Sequence, residues 1–144
     1  VGAYDAFKTD ANHETDGVWF EYGEFRYRLA RAGGANKKFA KTMERLSRPH
    51  RRQIERGVMD DAAGRRLLRQ VFIQSVILAW EVRDGDDWKP GIETSDGEFI
   101  PGKPSAEVLD KLLEDLPDLF QQIHDDASDM RVYLEHIAEQ DAGN

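Results

Sequence analysis

The 144-residue sequence is 40% hydrophobic and 33% charged, which supplies one core and no run of about 18 apolar residues that could span a membrane as a helix. It contains no cysteine, which removes disulfides, thiol nucleophiles and cysteine-ligated zinc, and it opens without a charged-then-apolar leader, so a cytosolic protein is expected. The net charge of -8 is segregated: residues 1–23 carry -4, residues 24–69 carry +9 and residues 70–144 carry -13.

Residues 1–17 are polar with weak periodicity and read as an N-terminal arm, with Tyr4 and Phe7 spaced to share one helical face. Val18, Phe20 and Tyr22 then alternate with Trp19 and Glu21. After Gly23, Phe25, Tyr27 and Leu29 alternate with Arg26, Arg28 and Ala30. Period-two alternation around a short glycine-containing connection predicts a half-buried β-hairpin. The chain turns at Gly33-Gly34, and Asn36 is placed to cap a helix with Phe39, Met43 and Leu46 on one stripe. Pro49 interrupts it, and a short helix restarts at His50-Arg51-Arg52, with Ile54 as its apolar anchor, ending near Gly57.

Asp60 or Asp61 caps the most apolar segment, predicted as a central helix over 61–82 with Leu67, Leu68, Val71, Phe72, Val76, Leu78, Ala79 and Val82 in its core stripe. Residues 84–104 are rich in Gly, Pro and Asp and read as a long loop pinned by Trp88, Ile92, Phe99 and Ile100, which could form a small hairpin over the core. Ser105 caps a helix bearing Val108, Leu109, Leu112 and Leu113. Pro117 opens a last helix over 117–138 with Leu119, Phe120, Ile123, Met130, Tyr133, Leu134 and Ile137, followed by a polar tail. The expected architecture is α+β and mostly α-helical: an N-terminal hairpin packed on a bundle of about four to five helices, with residues 18–144 forming a single domain.

The sequence offers little chemistry. His13, His50, His124 and His136 lie in separate segments, and Asp84, Asp86 and Asp87 lack the spaced ligands and terminal Glu of a calcium loop. Asp125-Asp126 is a second carboxylate cluster without a metal-ligand pattern. The glycines at 33 and 34 have no phosphate-loop context, and no serine sits in a nucleophile elbow. No catalytic residue, cofactor site or metal site is therefore expected, and the protein is read as non-enzymatic.

The basic patch of Arg26, Arg28, Arg31, Lys37, Lys38, Lys41, Arg48, Arg51 and Arg52 could contact nucleic acid, with Phe25 and Tyr27 as stacking surfaces. Those aromatics alternate with the arginines and should face the other way, and an isoelectric point near 5.0 repels a polyanion, so nucleic-acid binding is disfavoured. The alternatives for the basic block are pairing with the acidic half within one chain, or head-to-tail pairing between copies in a homo-oligomer.

Several blocks carry a resemblance: GVW at 17–19, RLARAGGANKKFAK at 28–41, RPHRRQI at 48–54, LLRQVFIQSVILAWE at 67–81 and LEDLPDLF at 113–120. Together they resemble the tail assembly chaperones of long-tailed, siphovirus-like bacteriophages and prophages, over roughly residues 16–137. The resemblance implies a factor that binds the tape measure protein and helps recruit tail tube protein during assembly of a long non-contractile tail. It also implies action in the host cell cytoplasm and absence from the mature virion. An amphipathic client helix would dock in an apolar groove, expected beside the last helix at Leu119, Phe120, Ile123, Met130 and Tyr133. The rival readings are a structural virion component such as a head–tail connector protein, and a small phage regulator that binds nucleic acid or a host protein.

Overall fold

The computed structural model describes residues 2–135. Two short helices, α1 (Ala3–Phe7) and α2 (Ala11–Asp16), precede the hairpin of β1 (Val18–Glu21) and β2 (Phe25–Leu29). The helices α3 (Lys37–Ser47), α4 (Arg51–Glu55) and α5 (Asp61–Ser75) follow, with a 3-10 turn over Arg48–His50. Next come β3 (Ile77–Asp84), β4 (Asp87–Glu93) and β5 (Phe99–Pro101), then α6 (Ala106–Asp115), α7 (Pro117–Ser128) and a 3-10 turn over Met130–Tyr133. The fold is α+β, and its N-terminal hairpin is the first two strands of a larger sheet.

All five strands are antiparallel neighbours in the order β1-β2-β3-β4-β5. The inner face of the sheet packs on α5, α6 and α7 around Tyr27, Leu29, Phe72, Trp80, Ile92, Leu113 and Ile123. Alternation places Phe25, Tyr27 and Leu29 inward. Phe25 and Tyr27 lie 5.8 and 5.3 Å from the Trp80 ring, well away from the arginines.

The helix expected over 61–82 ends at Ser75, and the chain from Ile77 is a strand. An unbroken apolar run fits a buried helix and a buried strand equally well, so neighbours decide. The decisive neighbours are Ala30, whose amide donates to the Val76 carbonyl at 2.9 Å, and Asn36, whose Nδ2 donates to the Ser75 carbonyl at 2.9 Å. Both carbonyls are thereby satisfied from outside the helix, and Tyr27 and Leu29 pair with Trp80 and Ile77 across the ladder. Asn36 occupies the cap position of α3 as expected, but its side chain makes no cap bond.

Residues 84–104, expected as a long loop with a small hairpin as the alternative, do hold the antiparallel β4–β5 pair, which continues the sheet from β3. Gly85 takes a positive φ of 65° at the first central position of the tight turn between Asp84 and Asp87. The last helix also stops early, at Ser128. Asp129 then caps Arg131 and steers Tyr133 into the core, where its hydroxyl donates to the Leu29 carbonyl at 3.1 Å. The end of the helix expected to reach 138, including Ile137, lies outside the described residues. Ile54, expected as an anchor, is 45% exposed. The segment ahead of β1 is tied down by a buried ion pair in which Arg31 Nη1 donates to Glu14 Oε2 at 2.6 Å.

Phe72 on α5 is fully buried, and its ring meets Phe39, Phe120 and His124 at 5.8, 5.4 and 5.5 Å. Phe72→Ala should cost about 3–5 kcal/mol, read as a lower urea midpoint with an unchanged slope.

Candidate functional site

On α6, Leu109 and Leu113 fill the core, while Val108, Leu112 and Leu116 recur every four residues along the adjoining flank. This second ridge meets no complete partner, and an apolar furrow opens between it and the sheet. Its wider part, about 440 Å³, is lined by Ile92, Val108, Leu112 and Leu116. A narrower part of about 170 Å³ continues past Leu116 and Leu119 to Phe25, Trp80 and Val82. The two share Ile92, Glu93, Leu112 and Leu116 and so form one channel. The ends of α6 and α7 meet at Leu116, whose non-helical backbone (φ -123°, ψ 74°) breaks the two helices and which is 48% exposed at the mouth.

The rim carries Glu24, Glu93, Glu107 and Asp115 against Lys111, whose ammonium is already engaged by Asp115 at 3.1 Å. The furrow is therefore apolar inside and acidic at its edge. The Thr94 hydroxyl, also in the lining, is buried without a hydrogen-bond partner among the described residues. This combination suits an apolar segment with basic flanks.

The residues expected to form a client groove separate into different environments. Leu119 lines the furrow, and Phe120 packs edge-on against Phe72. Ile123 and Tyr133 are completely buried, so neither presents a surface to a partner, and Met130 is half-buried in the turn after α7. The open furrow lies at the α6–α7 junction, with Leu119 in its lining. Val108, Leu112 and Leu116 were missed because a helix stripe reads as core from sequence, and only assembly shows which part lacks a neighbour.

The basic patch divides in two. Arg26 lies between two tryptophans, 4.2 Å from the Trp19 ring and 4.6 Å from the Trp88 ring, and its Nε donates to Glu81 at 2.7 Å. Arg28 donates to the Asp16 carbonyl at 2.7 Å, and Arg31 is consumed by Glu14. Trp19 and Trp88 escaped notice as the arginines' partners, although Trp19 sits opposite Arg28 in the register. Lys37, Lys38, Lys41, Arg48, Arg51 and Arg52 instead stand exposed on the helical segment, joined by Arg56, Arg65 and Arg66.

Asp126, one of the paired carboxylates in sequence, accepts hydrogen bonds from the hydroxyls of Tyr22 and Tyr27 (the latter at 2.7 Å) and from the Gln122 amide at 2.9 Å. It latches α7 to the hairpin. Among the described residues no group of three or more His, Asp or Glu side chains is arranged to hold a metal ion, and no helix is long and apolar enough to cross a membrane.

The described residues thus form a small α+β fold with an open apolar channel between α6 and the sheet. The chain belongs to the YdaY prophage protein family, whose model matches residues 34–144. The match takes in α3 through α7, including the α6 ridge, and leaves the β1–β2 hairpin outside. No curated protein and no solved structure matches the chain.

Burial, then the hydrogen bonds with Tyr22 and Asp126, raises the Tyr27 hydroxyl far above its ordinary value of 10.0. Burial, with Asp126 adding, raises Tyr133 in the same direction. The folded chain therefore holds these protons more tightly than the unfolded chain. Their stabilisation is complete below about pH 10 and is lost as the pH rises above it. Thermal midpoints between neutral pH and about pH 11 should fall less steeply in Tyr27→Phe and Tyr133→Phe than in the parent, despite lower starting values.

Proposed function

We propose that this prophage protein is a tail assembly chaperone. It holds an amphipathic helical segment of the tape measure protein in the furrow between α6 and the sheet, and helps bring tail tube subunits to that client. The observation that carries the reading is the channel itself, with apolar walls from Phe25, Ile92, Val108, Leu112, Leu116 and Leu119 and an acidic rim. An amphipathic helix lays its apolar anchors in such a groove, and basic flanks on the client would meet Glu93, Glu107 and Asp115. The membership in a prophage family and the sequence resemblance to tail assembly chaperones point the same way. The protein acts by binding alone, without covalent chemistry.

Co-expression with the tape measure protein tests this. The parent should keep the client soluble and co-purify with it. Leu116→Asp puts a charge at the exposed mouth of the furrow and should weaken client binding at least about tenfold while leaving the thermal midpoint nearly intact. Undiminished solubilisation by that variant would place the client elsewhere. Recovery of the protein in purified particles would favour a structural virion component instead.

A further inference from the structure

The furrow has a matching shape on the same molecule. Helix α4 ends in a Schellman turn: the Gly57 amide donates to the Ile54 carbonyl and the Val58 amide to the Gln53 carbonyl, at 3.1 and 3.0 Å, with Gly57 at a φ of 66°. This turn folds Val58 back over the end of α4. Ile54 and Val58 are 45% and 67% exposed, an apolar knob within a few residues of the exposed Arg51, Arg52 and Arg56.

The knob cannot be filling the furrow of its own chain. Helices α3 and α6 both pack on α5, which keeps them apart, and α4 packs chiefly on the 3-10 turn that precedes it. The same partition governs charge. Residues 37–66 hold ten Lys and Arg against four Asp and Glu, whereas residues 84–135 hold four against fifteen. Arg69, which donates to Asp110 at 2.9 Å and Glu114 at 3.3 Å, is the ion-pair link between these helical flanks among the described residues. Neutralisation inside one chain is therefore slight.

We propose that the furrow receives the α4 knob of a second copy of this chain, Ile54 and Val58 entering between α6 and β4 while Arg51, Arg52 and Arg56 face Glu93, Glu107 and Asp115. A contact between two different surfaces of identical chains leaves one of each free, so it propagates head to tail. Tyr4 and Phe7 on α1, 83% and 67% exposed, are the rival apolar insert. Their charged neighbours, Asp5 and Lys8, give no net positive charge to match the acidic rim. Resting on the chaperone reading, the knob and the client compete for one seat, so client binding dismantles the chain of copies.

Sedimentation of the full-length protein alone tests the self-association, independently of any client. The parent should grow in mass with concentration and shrink as salt shortens the reach of the rim charges. Ile54→Asp/Val58→Asp (knob) and Leu116→Asp (furrow) change exposed positions, and each should remain monomeric with an unchanged circular dichroism spectrum. Mixed one to one, they retain one working knob and one working furrow, and should form a dimer that grows no further. Arg52→Glu should restore assembly to Glu107→Arg, which guards against a furrow variant that simply misfolds. A parent that is monomeric at every concentration overturns the proposal. So does assembly that survives the knob variant but is lost in Tyr4→Ser/Phe7→Ser. If assembly behaves as stated but the furrow variants still solubilise the client, the client sits elsewhere and the competition for one seat fails, while the self-contact stands. If assembly behaves as stated but the parent does not solubilise the client, the chaperone reading fails alone.

Discussion

Everything in this fold turns on the point where α5 becomes β3. The Asn36 amide donates from one nitrogen to the Arg31 and Ser75 carbonyls, each at 2.9 Å, and Ala30 donates to Val76 beside it. One buried side chain thereby joins the end of the hairpin, the start of α3 and the end of α5. An amide nitrogen with both hydrogens spent on buried carbonyls leaves no room for replacement by a residue with a single donor. The sheet's order follows, because β3 can pair with β2 only if the helix is released at that residue. The helix layer follows too, since α5 is then short enough for α3 and α6 to flank it.

Sequence reasoning reached the parts of the fold that advertise a period. The hairpin, α3 with its Asn36 start, α6 with its Ser105 cap and the proline-led α7 all show alternation or stripes next to a punctuating residue. It failed at VFIQSVILAW, where apolar residues occupy every face and the choice between helix and strand rests on hydrogen bonds to residues some forty positions earlier. The same failure left the small hairpin of residues 84–104 without a sheet, because a strand predicted as helix leaves no edge for β4 and β5 to join. The binding surface was legible only as a set of apolar residues. Tyr133 and Leu116 look alike as members of helical stripes, yet one is sealed beneath the hairpin and the other lies at an open junction. Sidedness of that kind is a property of the assembled layers.

Charge tells a similar story. The basic block visible in sequence is two things in the folded chain. Its strand arginines stack on Trp19 and Trp88, Arg31 just past β2 is spent on Glu14, and its helical members face water. A block-wise count cannot separate them, since exposed charges are screened within a few residues' distance while buried ones are not. The acidic half is mostly surface, so the apolar channel opens among exposed carboxylates.

The hairpin that the family match leaves out is also the cover of β3. With β1 and β2 in place, β3 has a neighbour on each side, and Trp80 lies under Phe25 and Tyr27. Stripped to residues 34 onward, β3 would lose its β2 partners from Ile77 to Val82, and the channel would lose its Phe25 wall. An unprotected strand of that length is a template for adding strands from other molecules. The hairpin thus covers the edge of β3 and at the same time walls the channel.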